Sequence, residues 1–321
     1  MALFILSGCD TKVNTMDKQD EKITVRLHLS DHSVFYLPVY TLVEGKNKTQ
    51  FDYKLYCAKA ANTDYDDSSK KQGKNSIGQI DLFFVDCNSF MEKLNVADEL
   101  YVLGSFFDRY PAMVEIPNVT QMADLENLKE KRLLLTDEEF CMEIFSHIME
   151  LHQINMDDIC FIHENSVIQG EISDKMTDPV CRVFTDSEEA FAGMKTCTDG
   201  KSYLFLSNYS GKIPYIVVLY EKTEDISEKE MELLKNELEQ GMEQAYNMDE
   251  NKVKKIAGKY FENIQADDFL MIIREYRDVK AWPKQLTFSK MQFLVLENLW
   301  KDNNKECSTA EFRKLRMLPY D

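Results

Sequence analysis

The 321-residue chain has no hydrophobic run near the roughly 20 residues that span a bilayer. It is short of positive charge: 38 Lys and Arg stand against 56 Asp and Glu, a formal net charge of −18 with pI near 4.8. That deficit excludes nucleic-acid or anionic-membrane binding through bulk charge, because such partners need a basic surface. No C-x-x-C pair occurs. Setting Cys9 aside leaves Cys57, Cys87, Cys141, Cys160, Cys181, Cys197 and Cys307, an odd number that reads mostly as buried thiols packing like small apolar groups. The signatures G-x-x-x-x-G-K-[ST], G-x-G-x-x-G and G-x-S-x-G are absent, as are internal repeats and low-complexity blocks. His147 and His152 stand five apart and so face different sides of a helix, unlike the i, i+4 pair that holds zinc. No metal site, cofactor or catalytic residue is expected. What is present is 44% hydrophobic and 29% charged residues, enough for a large core, and a length whose default is two domains.

Met1–Leu6 is apolar, and Leu6-Ser7-Gly8-Cys9 resembles a bacterial lipobox, in which small residues precede a cysteine that becomes lipidated. A basic n-region and a long apolar stretch do not precede it, so the start reads as truncated or mis-chosen. Residues 1–22 are therefore a lipobox-like N-terminus, with Cys9 as the lipid attachment point, and a polar tether over Asp10–Lys22.

Beyond the tether, Ile23-Val25-Leu27-Leu29 alternates with Thr24-Arg26-His28, the period of a half-buried strand. A helix is predicted over Val34–Glu44, and strands over Tyr53–Ala58 and the segment opening at Gly78. Strand and helix alternate here, which implies parallel pairing with crossover helices. Further strands are predicted over Tyr101–Phe106, Ala112–Ile116, Arg132–Leu135, Ile159–His163, Val180–Phe184, Tyr203–Leu206 and Ile213–Tyr220. A helix opens at Thr136-Asp137-Glu138-Glu139, a capping box, with Phe140, Ile144, Ile148 and Leu151 on its apolar stripe. From Ser227 the pattern turns helical: Ser227 with Glu230 is a second capping box, Asp249 caps a helix through Tyr260, and Ala266–Val279 and Thr287–Lys301 follow, the last turning Met291, Val295 and Leu299 inward.

Charge is uneven. Residues 118–210 hold 18 acidic and 7 basic side chains, a net of −11, and are bracketed by two extended strands that can carry the chain to another lobe and back. The expected division is one lobe of 23–117 plus 211–321, and a second of 118–210.

Several segments together resemble the type II periplasmic-binding-protein fold, in particular ABC-importer solute-binding lipoproteins of the nitrate, sulfonate, taurine and thiamine-precursor group. They are Phe35-Tyr36-Leu37-Pro38-Val39-Tyr40, Gly78-x-x-Asp81, Asp124-Leu125-x-x-Leu128-Lys129-x-Lys131-Arg132, Gly170-x-Ile172 before Asp178-Pro179, and Tyr260-Phe261 followed by Trp282 and Leu299-Trp300. The resemblance implies an α/β fold of two lobes, each a mixed, mainly parallel sheet flanked by helices, with a ligand cleft between them that closes by hinge motion. Ligand-facing positions implied by it are Ser33 and Tyr36, then Asp86, Cys87, Asn88 and Ser89, then Thr136, Asp137 and Glu138, then Thr177 and Asp178.

Two carboxylates at Asp137 and Glu138 depart from the small residues that hold an anion at that helix N-terminus in relatives. With Asp86 and the −11 of that segment, they favour a neutral or cationic ligand, a heterocycle among the candidates. Phe35, Tyr36, Phe84, Phe106 and Tyr110 are expected to supply stacking surface, and His32 a hydrogen bond. The reading is a monomeric, lipid-anchored, extracytoplasmic bacterial protein that passes a small molecule to an ABC permease without covalent chemistry. Two other readings remain open: an enzyme on the same fold using Asp86, His32 or Cys87, and a surface lipoprotein that binds a protein partner.

Overall fold

Alternation makes Ile23–Leu29 the strand β1: Val25, Leu27 and Leu29 are buried, and Thr24, Arg26 and His28 stay half-exposed on the opposite face. The computed structural model describes residues 22–45, 50–57, 78–117, 124–129, 131–135, 139–163, 180–184, 201–261, 264–302 and 311–318. The helix expected after β1 divides in two. Val34–Tyr36 is a 3-10 turn, and α1 (Leu37–Glu44) begins with Pro38 in its first turn, where a missing N–H costs nothing.

Strands β2 (Phe51–Cys57) and β3 (Gln79–Asp86) flank β1 in parallel. Helix α2 (Cys87–Val96) follows β3 directly, and β4 (Leu100–Phe107) comes next. The chain then leaves for a second sheet of β5 (Met113–Pro117), β6 (Arg132–Leu135), β7 (Cys160–His163), β8 (Val180–Phe184) and β9 (Lys201–Phe205), with α3 (Glu139–Leu151) between β6 and β7. It returns as β10 (Ile216–Tyr220), continues through α4 (Glu228–Asn247), α5 (Glu250–Tyr260), α6 (Ala266–Asp278) and α7 (Lys290–Asp302), and closes with the three-residue β11 (Leu315–Met317).

The first sheet runs β2-β1-β3-β10-β4-β11 and the second β7-β6-β8-β5-β9. In both, the order is second, first, third, crossing strand, fourth. The crossing strand, β10 in one sheet and β5 in the other, is antiparallel to its neighbours. Two lobes thus share one plan although the sequence carries no repeat. Met113–Pro117, inside the 23–117 segment expected for the first lobe, is hydrogen-bonded in the second sheet.

Apolar residues pack in two layers. One joins a face of the first sheet to α1, α4, α5 and α6; the other joins the opposite face to α2, α7, α3 and the second sheet. On α7 the buried stripe is Phe293, Leu296, Leu299 and Trp300, while Met291, expected inside, is 71% exposed. On α3, Ile144, Phe145, Ile148 and Met149 are buried and Leu151 is 51% exposed. On α7 the residues Met291, Val295 and Leu299 step by four and so drift by about 40° per step across the face, and Leu151 is the last residue of α3. Capping is as expected in α4: Ser227 Oγ accepts from Glu230 N at 3.3 Å, and Glu230 Oε2 accepts from Ser227 N at 2.7 Å.

Away from the apolar layers, the half-exposed side of β1 and β3 carries a polar cluster. Arg26 donates to Asp81 through Nε at 2.6 Å and Nη2 at 2.5 Å, and His28 Nε2 lies 2.6 Å from Asp81 Oδ1. The His28 ring stacks between Tyr56 and Phe83.

Candidate functional site: the strand ends between the sheets

In an open α/β sheet the loops after parallel strands carry the binding groups, because side chains and helix N-termini converge there. In the first sheet these are Ser30–Ser33 after β1, Asp86–Ser89 after β3, and Asp108–Ala112 after β4. The last of these crosses to the second lobe, and 206–215 returns from it.

Ser33 is buried before the 3-10 turn, its carbonyl accepting from Tyr36 N at 3.1 Å and from the Tyr40 hydroxyl at 3.4 Å. Tyr36 is fully buried. Its hydroxyl lies beside Ser30, yet no bond of regular geometry forms. Burial pushes this phenol well above its ordinary pKa, and the neighbouring Asp31 carboxylate adds to the shift. Asp86 is committed to helix capping, its two oxygens accepting from Ser89 N at 2.8 Å and Ser89 Oγ at 2.7 Å. Cys87 opens α2 with its thiol buried, which raises it well above the usual thiol range. Asn88 donates to Glu92 at 3.3 Å, and its Oδ1 is buried without a partner.

The expected stacking surface belongs to the core instead. Phe84 and Phe106 sit at alternate strand positions facing α1, 4.9 Å apart at their ring centres, and Tyr36 and Phe35 pack onto them and onto Phe107. None of Phe35, Tyr36, Phe84, Phe106 and Tyr110 exceeds 8% exposure, so no ring face is free for a ligand. His32 is half-buried, its Nδ1 3.4 Å from the Tyr40 hydroxyl and its ring beside Tyr260 and Phe261; burial lowers its pKa. Thr136, Asp137, Glu138, Thr177, Asp178 and Cys9 lie outside the described residues.

Sequence reasoning did not reach three groups, nor the burial of the Tyr110 hydroxyl. Asp31 neighbours the Tyr36 phenol. The Tyr110 hydroxyl, in the first crossing, is buried with no oxygen or nitrogen partner, and its electrostatic neighbours are Cys141 on α3, Tyr215 and Cys87. The Ser207 hydroxyl, just after β9, is likewise buried and unpartnered. Arg109 donates to the carbonyls of Asp108, Gly211 and Val279 at 3.1, 2.6 and 3.0 Å. Their positions immediately after β1, β4 and β9 were the available signal.

The described strand-end loops of the first sheet therefore carry Asp31, Asp86 and Asp108, and their one guanidinium is taken up by backbone. Among the described residues no cluster of three or more His, Cys, Asp or Glu has the arrangement of a metal site. Of the described cysteines, Cys87, Cys141 and Cys181 are buried, Cys57 is partly buried and Cys160 is exposed. Among the described residues no helix is long and apolar enough to cross a membrane. A groove of about 1160 Å³ lies outside the cleft, between α4 and the segment Trp282–Gln285.

Two sheets of this shared order, joined by two crossings, define the type II periplasmic-binding-protein fold. No family model matches the sequence. No curated protein matches it either. Solved structures do. The periplasmic aliphatic sulphonate binding protein SsuA from Escherichia coli aligns with a TM-score of 0.55 at 10% identity, over 92% of this chain and 91% of that one. The alkanesulfonate-binding protein SsuA from Xanthomonas axonopodis pv. citri, bound to MOPS, gives 0.53 at 11% identity, over 92% and 98%. A Candida albicans protein, the CA3427 gene product, with the generic periplasmic binding protein fold, gives 0.51 at 10%, over 94% and 98%. At these identities the likeness concerns the fold.

Proposed function

We propose that the protein is an extracytoplasmic solute-binding protein that captures a small neutral or cationic molecule between its lobes and delivers it to an ABC importer. The observation that carries the ligand class is the charge at the described strand ends and crossings: three aspartates against Lys212 and one arginine whose donors are already spent on carbonyls. An anion would meet carboxylates there, with the exposed Lys212 of the returning crossing, already beside Asp108, as the cation that could receive it. A neutral or positively charged ligand with a donor can complete Asn88 Oδ1, which is buried without a partner and otherwise costs the desolvation of an unmade hydrogen bond. In this reading Asp86 acts by fixing the first turn of α2 and by its charge, and the chain works without covalent chemistry or cofactor. The lobe division is placed at the crossings 108–112 and 206–215, which assigns Met113–Pro117 to the second lobe. Cys9 is the lipid attachment point, and the protein works as a monomer.

A thermal-shift panel of cationic heterocycles, neutral heterocycles and sulfonates tests the ligand class. Stabilisation by one of the first two classes, lost in Asn88→Leu at unchanged unliganded melting temperature, is the expected result. Stabilisation by sulfonates alone overturns it. Turnover of a stabilising compound would replace transport by an enzymatic reading. Metabolic labelling with a fatty acid, compared with Cys9→Ser, tests the anchor.

A further inference from the structure

The two crossings are held together by a hydrogen-bond ladder with a gap. On the side of the first sheet, Tyr215 N donates to Phe107 O at 2.8 Å and Ile213 N to Asp108 O at 3.3 Å. On the side of the second, Leu206 N donates to Ala112 O at 2.9 Å. Between them side chains take over. Ser210 Oγ accepts from Tyr110 N at 3.1 Å, and Arg109 Nη1 donates to Gly211 O at 2.6 Å. Gly211 has φ of +64°, a conformation that glycine adopts without strain, and Pro111 has no N–H to contribute.

Arg109 reaches further than the two crossings. Its Nη2 donates at 3.0 Å to Val279 O, directly after α6, and the same segment binds the first crossing again where Asp108 N donates to Ala281 O at 2.8 Å. One guanidinium thus joins the outgoing crossing, the returning crossing and the segment that leads to α7. Backbone bonds on either side of the gap continue each sheet, so a rotation of one lobe against the other concentrates its torsion in 109–112 and 207–212. A planar guanidinium has its donors in a fixed fork and satisfies three carbonyls in one arrangement only.

We propose that Arg109 is the clamp that sets the balance between the described arrangement of the lobes and its rotated alternative. The proposal rests on the hinged-lobe reading above. Twisting the crossings gives up at least one of the three bonds, and a charge-assisted hydrogen bond weighs roughly tenfold to a hundredfold in such an equilibrium. Removing the clamp therefore shifts population away from the described arrangement by about that factor.

The test uses the full chain with donor and acceptor dyes introduced as unnatural amino acids at Glu232 on α4 and Asp157 after α3, both exposed, and reads single-molecule energy transfer. Arg109→Gln is expected to change the ratio of the two distance populations by at least roughly tenfold, and Arg109→Lys, with a compact ammonium, by less. Arg274→Gln, which breaks only a surface contact with Glu250, is expected to leave the ratio unchanged. A wild-type ratio in Arg109→Gln, or in Arg109→Lys should the first variant not fold, overturns the clamp and leaves the hinge standing. A single distance in the wild type that no variant moves overturns the hinged reading itself.

Discussion

Alanine at Gly104 and alanine at Gly258 should move stability in opposite directions, and geometry gives the sign. Gly104 lies in β4 with φ of +155°, and a Cβ there would stand 2.4 Å from Leu286 C, 2.6 Å from Thr287 N and 2.8 Å from Leu286 Cα. All three neighbours are backbone, so no side-chain rotation gives relief. The Leu286–Thr287 segment must retreat by about 1 Å to reach ordinary contact distance. That retreat strains the bond from Ser105 N to Thr287 O at 2.9 Å and the one from Leu286 N to Glu239 Oε1 at 2.8 Å. Overpacking costs about 1–3 kcal/mol and a weakened hydrogen bond about 1 kcal/mol, so Gly104→Ala is expected to lose about 2–4 kcal/mol. In a chain of this size that lowers Tm by about 4–8 °C. Gly258, on α5, has nothing within 4 Å of the added Cβ. Its alanine variant is expected to gain about 0.5–1 kcal/mol from helix propensity and reduced unfolded-state entropy. Thermal melts and urea titrations of the two variants beside the wild type decide the matter. A Gly104→Ala protein that melts with the wild type would refute the claimed contact between β4 and the segment before α7.

Burial pushes the Asp81 carboxyl up, but hydrogen bonds from His28, Arg26 and Gln79 outweigh it and hold the group well below the usual carboxylate range. A depressed native pKa contributes stability that is present above the unfolded value near about 4 and lost as pH falls below it; Asp81→Asn should therefore be less stable than wild type at pH 7 in urea titrations, the gap narrowing below about pH 4. Asp108 goes the other way: burial raises it, with Ser105 opposing. Wild type should gain stability relative to Asp108→Asn as pH is lowered from neutrality toward about 4, and a gap that widens in the opposite sense contradicts the assignment. Alkylation followed by peptide mapping should modify Cys160 in the native protein and spare Cys87, Cys141 and Cys181 until denaturant is added; early modification of Cys87 would show that the first turn of α2 is open.

Local signals carried much of the architecture. The alternation of Ile23–Leu29 and the capping box at Ser227 act through neighbouring residues, and both appear as the pattern implies. The strand expected from Ile213 starts at Ile216, because Ile213 and Tyr215 bond to the other crossing. β11 has three residues and exists only because the β4 edge is there to receive it. Site residues divide in the same way. That Asp86 sits at a strand end is a local fact; that its oxygens are occupied by Ser89 depends on where the helix starts. The aromatic residues were legible as large and apolar, but their role as core follows from which sheet face α1 covers. Arg109 reads as one base among many until the crossings bring three carbonyls to it.

The order of strands also has a consequence for synthesis. β10 lies between β3 and β4, so the first sheet stays in two pieces until residue 220 has left the ribosome, whereas every strand of the second sheet lies within residues 113–205. The middle of the chain can complete its sheet while the beginning still waits with two unpaired edges. Those edges, rich in Phe, Val and Leu, are templates for wrong pairing during that interval. A nascent chain halted when residues up to about 210 have emerged should therefore hold a folded second lobe and an unfinished first one, and the first lobe is where a holding chaperone would bind.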